Sequence, residues 1–96
     1  MRKTFKLTHP RIKVARLADS ARSDASKYIK RERKKALPEG SDFWDFDCKF
    51  GSTVEDAKVI HVAEISKYIT GAEAQNLESF YLEILAKPAR RTKKPK

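Results

Sequence analysis

The chain has 96 residues and a formal net charge of +9, from 22 Lys and Arg against 13 Asp and Glu. This length predicts one domain, and 40 % hydrophobic residues exclude disorder throughout. One cysteine excludes an intramolecular disulfide scaffold and a multi-cysteine zinc site. No apolar run reaches the roughly 18–20 residues of a membrane span, and the basic start lacks the apolar stretch of a signal peptide. We therefore expect a cytoplasmic protein with no membrane partner.

The first half of the chain predicts a strand followed by a long helix. Phe5 and Leu7 alternate with polar residues, as in a short strand. From Pro10 to Ala36, apolar residues recur at three- and four-residue spacing, which is typical of an amphipathic helix. Pro38 ends this helix, because a proline disfavours helical geometry in the residue before it.

The second half predicts two strands and a second helix. Residues 43–50 alternate cleanly, and residues 57–63 form a shorter apolar run. Residues 64–69 fit either a helical turn or a continuation of that strand. Residues 70–73 have the spacing of a capping box, so we expect the last helix to begin there, carry an apolar stripe from Ala74 to Leu85, and end at Pro88.

These elements predict an α+β fold in the order β-α-β-β-α. We expect a two-layer sandwich, with a small, mainly antiparallel sheet and both helices on one of its faces. The alternating strand would turn one row of side chains toward the helices: Trp44, Phe46, Cys48 and Phe50. Residues 1–88 would form the single domain, and residues 89–96 a disordered basic tail.

The charge is divided along the chain. Residues 1–37 carry 13 basic and 3 acidic side chains, residues 38–86 carry 3 and 10, and residues 87–96 carry 6 and none. The net charge of these segments is thus +10, −7 and +6. Two interpretations remain open: the basic segments bind an external polyanion, or they are neutralised by the acidic centre of the protein itself.

The densest positive run lies at the end of the first helix. A helix from Pro10 to Ala36 would be about 40 Å long, whereas an eight-residue strand spans about 26 Å, so we expect the basic end to project beyond the sheet. Its five cations, and those of the tail, are candidate phosphate ligands: Lys30, Arg31, Arg33, Lys34, Lys35, Arg90, Arg91, Lys93 and Lys94.

Simpler explanations of both basic segments stay open. Cations are favoured at a helix C-terminus, charge runs are often solvated faces, and a basic tail can serve solubility alone. Five cations in six residues nevertheless exceed what the helix dipole requires. The leading hypothesis is therefore a nucleic-acid-binding module that contacts RNA or DNA phosphates.

Familiar nucleic-acid modules are not evident in the sequence. It contains no GxxG loop of a KH domain and no glycine–aromatic signature of an RRM. Binding through charge alone predicts weak sequence preference and steep salt dependence. The alternative is a protein-interaction or self-association module, in which the basic helix pairs with an acidic surface on a partner or a second copy.

A remote alternative is a metal-dependent enzyme. If residues 43–50 and 57–63 pair as a hairpin, one register places Asp47 opposite His61 and Asp45 opposite Ala63. Two carboxylates and an imidazole on one face are chemically able to hold a divalent cation or form an acid/base pair. An open polar sheet face explains the same residues.

Nothing else in the sequence indicates an enzyme or a cofactor. There is no Ser-His-Asp set and no glycine-rich phosphate loop. Cys48 lies in the apolar row and is interpreted as a small buried side chain rather than a nucleophile.

Several segments resemble one family over nearly the whole chain: Lys6–Val14, Lys30–Gly40, Asp42–Gly51, Val59–Ile65 and Ser79–Pro88. They are similar to a family of small, basic, uncharacterised bacterial proteins, classed as a domain of unknown function. The resemblance implies a bacterial cytoplasmic protein. It supplies no activity, cofactor or site residue.

Overall fold

The computed structural model describes residues 1–90 as an α+β fold. The elements in chain order are β1 (Arg2–Lys6), α1 (Val14–Arg33), β2 (Phe43–Gly51), β3 (Lys58–Ile60), a short 3₁₀ turn (Val62–Glu64), α2 (Ile65–Ala74) and β4 (Ser79–Ala89). The four strands form one sheet in the order β1-β4-β2-β3, and each neighbouring pair is antiparallel. The predicted α+β class is confirmed, whereas the predicted element order lacks the final strand.

The largest error in the sequence prediction concerns the helix predicted to carry residues 74–85, because residues 79–85 belong to the strand β4 and α2 already ends at Ala74. β4 lies at the centre of the sheet, paired with β1 on one side and β2 on the other. Phe80, Leu82 and Ile84 are fully buried, with the two-residue spacing of a strand. Pro88 does not end a helix but lies in β4 beyond the stretch that pairs with β1, where a missing N–H is tolerated.

The second helix comes earlier in the chain than predicted. α2 begins at Ile65, so the helical reading of residues 64–69 is confirmed, and Thr70–Glu73 lies inside the helix. α2 ends in a Schellman motif: the Leu77 N–H donates to the Ala72 carbonyl, and Asn76 has a φ of 56°. Asparagine tolerates this left-handed geometry, which is why the helix ends here.

The core is formed by side chains from both helices and the sheet. Ala18, Ala21 and Ala25 of α1 and Ile65, Ile69 and Ala72 of α2 belong to the same buried cluster as the strand residues. Of the predicted row on β2, Phe46 and Cys48 are buried, while Trp44 and Phe50 are half-buried against the core. That row is confirmed as the core face of β2.

The length difference from which the helix overhang was predicted is absent, because α1 is shorter and the longest strand longer than predicted. α1 spans about 30 Å, whereas the 11 residues of β4 span about 36 Å. The end of α1 also contacts the sheet, since the Arg33 guanidinium lies 5.5 Å from the Phe46 ring centroid and the Trp44 indole N–H donates to the Lys35 carbonyl.

Candidate nucleic-acid interface

The predicted basic run begins in the last turn of α1 and continues into the turn that follows. Lys30, Arg31 and Arg33 are helical, and Lys34 caps the helix. The N–H groups of Lys34 and Lys35 donate to carbonyls three residues back, at 3.3 and 3.2 Å. These cations lie next to the negative end of the helix dipole, which favours positive charge.

Three contacts hold side chains or backbone of the run in place, two of them with β2 and one within α1. The Trp44 indole N–H donates to the Lys35 carbonyl at 2.9 Å, which ties the end of the run to β2. The Arg33 guanidinium lies over the Phe46 ring, 5.5 Å from its centroid, and the Arg31 guanidinium lies 5.8 Å from the centroid of Tyr28. A guanidinium stacked on a ring can still donate from its edge to a phosphate.

Ion pairing within residues 1–90 leaves most of the run available. Lys35 pairs with Glu32 at 2.7 Å. The other four cations have no carboxylate of the described residues at ion-pair distance, and all five side chains belong to exposed residues: Lys30, Arg31, Arg33, Lys34 and Lys35. The acidic centre of the chain therefore does not neutralise them through contacts in this part of the structure.

The predicted basic tail falls mostly outside the described residues. Ala89 closes β4, so the first predicted tail residue belongs to the sheet. The Arg90 side chain donates to the Gly40 carbonyl, which places it beside the loop that follows the basic run. Three further predicted phosphate ligands lie outside the described residues: Arg91, Lys93 and Lys94.

The third residue of the metal hypothesis, His61, lies outside the strand pair in which it was predicted. The register of β2 and β3 is the predicted one, with Cys48 opposite Ile60, but pairing stops there. His61 instead begins the 3₁₀ turn, where its Nδ1 accepts from the Ala63 N–H at 3.1 Å and its own N–H donates to Glu64 at 3.2 Å.

The two carboxylates of that hypothesis are engaged elsewhere. Asp47 pairs with Lys87 at 2.8 Å, and this hydrogen bond raises the pKa of Lys87. Asp45 accepts from the Phe46 N–H at 2.8 Å. Within residues 1–90, no three His, Cys, Asp or Glu side chains form a group that could hold a metal ion.

Sequence reasoning missed part of the positive surface of α1. Arg16 and Lys27 are exposed and lie on the helix side opposite the buried alanines, in line with Lys30 and Lys34. The three- and four-residue spacing of Lys27, Lys30 and Lys34 was visible in the sequence. It was overlooked because the six-residue run dominates the charge count.

A groove of about 850 Å³ lies between α2 and the turn that joins β2 to β3. Tyr68 and Phe50 contribute rings whose centroids are 5.4 Å apart, and Lys58 and Lys67 lie among the lining residues. This groove was not predicted, since it depends on where α2 packs.

The fold and this surface define a small α+β protein with a solvent-exposed basic helix. The chain belongs to DUF6172, a family of unknown function whose pattern matches residues 1–95. Comparisons with curated proteins and with solved structures find no match. In the described part of the chain, no helix is both long and apolar enough to cross a membrane.

Proposed function

We propose that this protein is a small module that binds RNA or DNA phosphates through the basic run of α1, without strong sequence preference. The proposal is supported by the exposure and ion pairing of that run. Four of its five cations are exposed and lack a carboxylate partner among the described residues. Arg90, whose side chain donates to the Gly40 carbonyl in the loop after the basic run, would add a contact, and the predicted phosphate ligands Arg91, Lys93 and Lys94 belong to the same proposal. Such a role also fits the cytoplasmic location expected from the sequence.

Counterion release supplies the binding energy in this proposal. Each phosphate that a Lys or Arg neutralises frees condensed cations, and the affinity then falls with salt by a slope of about 0.7–0.9 per contact on a log–log scale. Arg31 and Arg33 are already held over aromatic rings. Binding therefore costs them less side-chain entropy than it costs a free lysine.

The test is a fluorescence anisotropy titration of labelled nucleic acids at several salt concentrations. The variant K30Q/R31Q/K34Q removes three exposed charges and keeps Arg33 on Phe46 and Lys35 on Glu32. It should bind more weakly and flatten the salt slope by about 2–3 units.

The matched control removes the same charge from other elements. Lys6, Lys58 and Lys67 are exposed and form no ion pair with the described residues, so K6Q/K58Q/K67Q reports the effect of net charge alone. The proposal is refuted if the wild type binds no nucleic acid at low salt, or if both triple variants lose the same affinity.

The self-association alternative stays a prediction and has a different observable. Sedimentation at low and high salt would show a concentration-dependent dimer that K30Q/R31Q/K34Q abolishes. A strictly monomeric protein at low salt and high concentration would rule this alternative out, with no bearing on nucleic-acid binding.

A further inference from the structure

The solvent side of α1 carries a continuous polar line longer than the basic run. Six exposed residues recur at three- and four-residue spacing, on the side of the helix opposite Ala18, Ala21 and Ala25: Arg16, Ser20, Ser23, Lys27, Lys30 and Lys34. From the first to the last, this line covers about 27 Å of helix. We call it the α1 stripe.

The α1 stripe contains no acidic residue. The two aspartates of α1 lie on its flanks, where Asp19 pairs with Arg22 at 2.7 Å and Asp24 with Lys3 at 3.9 Å. The stripe itself therefore offers a polyanion cations and small hydroxyl side chains, and each flanking aspartate is paired with a cation.

The cations of the stripe are Arg16 near one end and a group of three lysines at the other, separated by a gap. Arg16 and Lys27 are 11 positions apart, or about 16 Å along the helix, whereas Lys27, Lys30 and Lys34 are close together. Ser20 and Ser23 occupy the gap. A nucleic-acid duplex likewise presents two ridges of phosphate separated by a groove. The major groove of B-DNA is about 12 Å wide.

The stripe lacks the stacking groups that single strands need. Proteins that bind single strands combine positive charge with exposed aromatic side chains on which bases stack. The aromatic residue of α1 is Tyr28, half-buried beside Arg31. Among residues 1–90 the exposed aromatic side chain is Tyr68, which belongs to the groove beside α2.

We infer that the ligand of this surface is a double-stranded nucleic acid, with α1 lying across a groove and with Arg16 and the three lysines contacting phosphates of the two strands. The inference rests on the proposed function and specifies its ligand. Duplex DNA and duplex RNA share the chemistry of paired phosphate ridges. Arg16 and Lys27 are then binding residues, although they lie before the basic run.

The experiment compares a duplex of about 12 base pairs, which is longer than the stripe, with each of its single strands, as DNA and as RNA. The wild type should bind a duplex at least about tenfold more tightly than either strand. R16Q/K27Q should lose up to about 60-fold in duplex affinity at 0.1 M salt, since two contacts each contribute a slope of about 0.9. Gln keeps the helix propensity high.

The control variant K58Q/K67Q removes the same charge at the groove of Tyr68 and should leave duplex affinity within about threefold of the wild type. Circular dichroism and thermal unfolding confirm that each variant is folded.

The outcomes separate the two proposals. Tighter binding of either duplex, reduced by R16Q/K27Q and not by the control, supports the inference. Equal or tighter binding of single strands overturns it and leaves the proposed function standing, and a larger loss in the control would then locate the strand at the groove. A double variant that binds duplex like the control also overturns it. Absence of binding to every nucleic acid overturns both.

Discussion

Substitution of Gly71 by Ala should stabilise the protein, although it changes a helix that lines a groove. Gly71 lies inside α2, where glycine costs about 0.5–1 kcal/mol relative to alanine. A Cβ built on Gly71 meets no other atom within 4 Å. The full helix-propensity gain should therefore appear, as an increase of about 0.5–1 kcal/mol in the free energy of unfolding.

The other two glycines of the chain provide controls of opposite sign. At Gly51, a Cβ would lie 2.7 Å from the backbone of Ala57, and this contact cannot be relieved by a side-chain rotation. Gly40 has a φ of +86° and lies against the Arg90 side chain. Alanine should cost about 1–3 kcal/mol at Gly51 and about 1–2 kcal/mol at Gly40.

The assay is urea denaturation followed by circular dichroism, with thermal unfolding as the second measurement. For a chain of this size, Gly71→Ala should raise the Tm by about 2–8 °C, while the other two variants lower it. A Gly71→Ala protein less stable than the wild type would refute the reasoning, because it would mean that the space beside α2 is filled.

Three further predictions concern single side chains. The Tyr81 hydroxyl hydrogen bond holds the pKa of Glu83 below its ordinary value of 4.5, so its stabilisation is present above pH 4.5 and lost as the pH falls through the lower native pKa. Between pH 7 and pH 3, E83Q should therefore lose less unfolding free energy than the wild type, and parallel pH profiles would contradict this. Burial raises the pKa of Cys48 to about 11, so its thiol should react with a disulfide reagent at pH 8 at least about 100-fold more slowly than after unfolding; equal rates would contradict this. Trp44→Phe removes the donor to the Lys35 carbonyl and should cost about 0.5–1.5 kcal/mol in urea, whereas an unchanged midpoint would show that water replaces the bond.

The elements that sequence patterns predicted well are those with one buried face. β2 alternates cleanly because its even-numbered residues face the core and Asp47 and Lys49 face away. The helical spacing of α1 was equally clear, since Ala18, Ala21 and Ala25 meet the core on one side only. The buried residues therefore recur every second position in β2 and every three or four positions in α1, which are the repeats of a strand and a helix.

β4 was mistaken for a helix because its apolar residues do not alternate strictly with polar ones. Tyr81 is 7 % exposed and Leu85 is half-buried, although both alternate with the fully buried Phe80, Leu82 and Ile84. A nearly continuous apolar run of this kind also fits the stripe of a helix. The pairing of β4 with β1 and β2 makes it a strand, and this pairing cannot be read from a short stretch of sequence.

Only part of the candidate site was predicted, because some of its residues come together through the fold and not through the sequence. The five exposed cations of the basic run lie within six consecutive residues, so a charge count finds them. Arg16 joins them only through the geometry of α1, and the Trp44 contact that fixes Lys35 depends on how α1 packs on β2. The Asp47–His61 pair followed from a correct register, yet β3 is three residues long and stops before His61.

The position of β4 in the sheet has a consequence for the order of folding. Among the described strands, the one latest in the chain lies between β1 and β2, and the amino group of Met1 donates to the carbonyl of Ile84, 83 residues away, at 2.6 Å. While the chain is being made, β1 has no neighbour to pair with, and the apolar sides of α1 and α2 have only part of a sheet to cover. Such non-local pairing slows folding relative to local pairing. All residues of the basic helix are therefore synthesised well before the strand that completes the core beneath it.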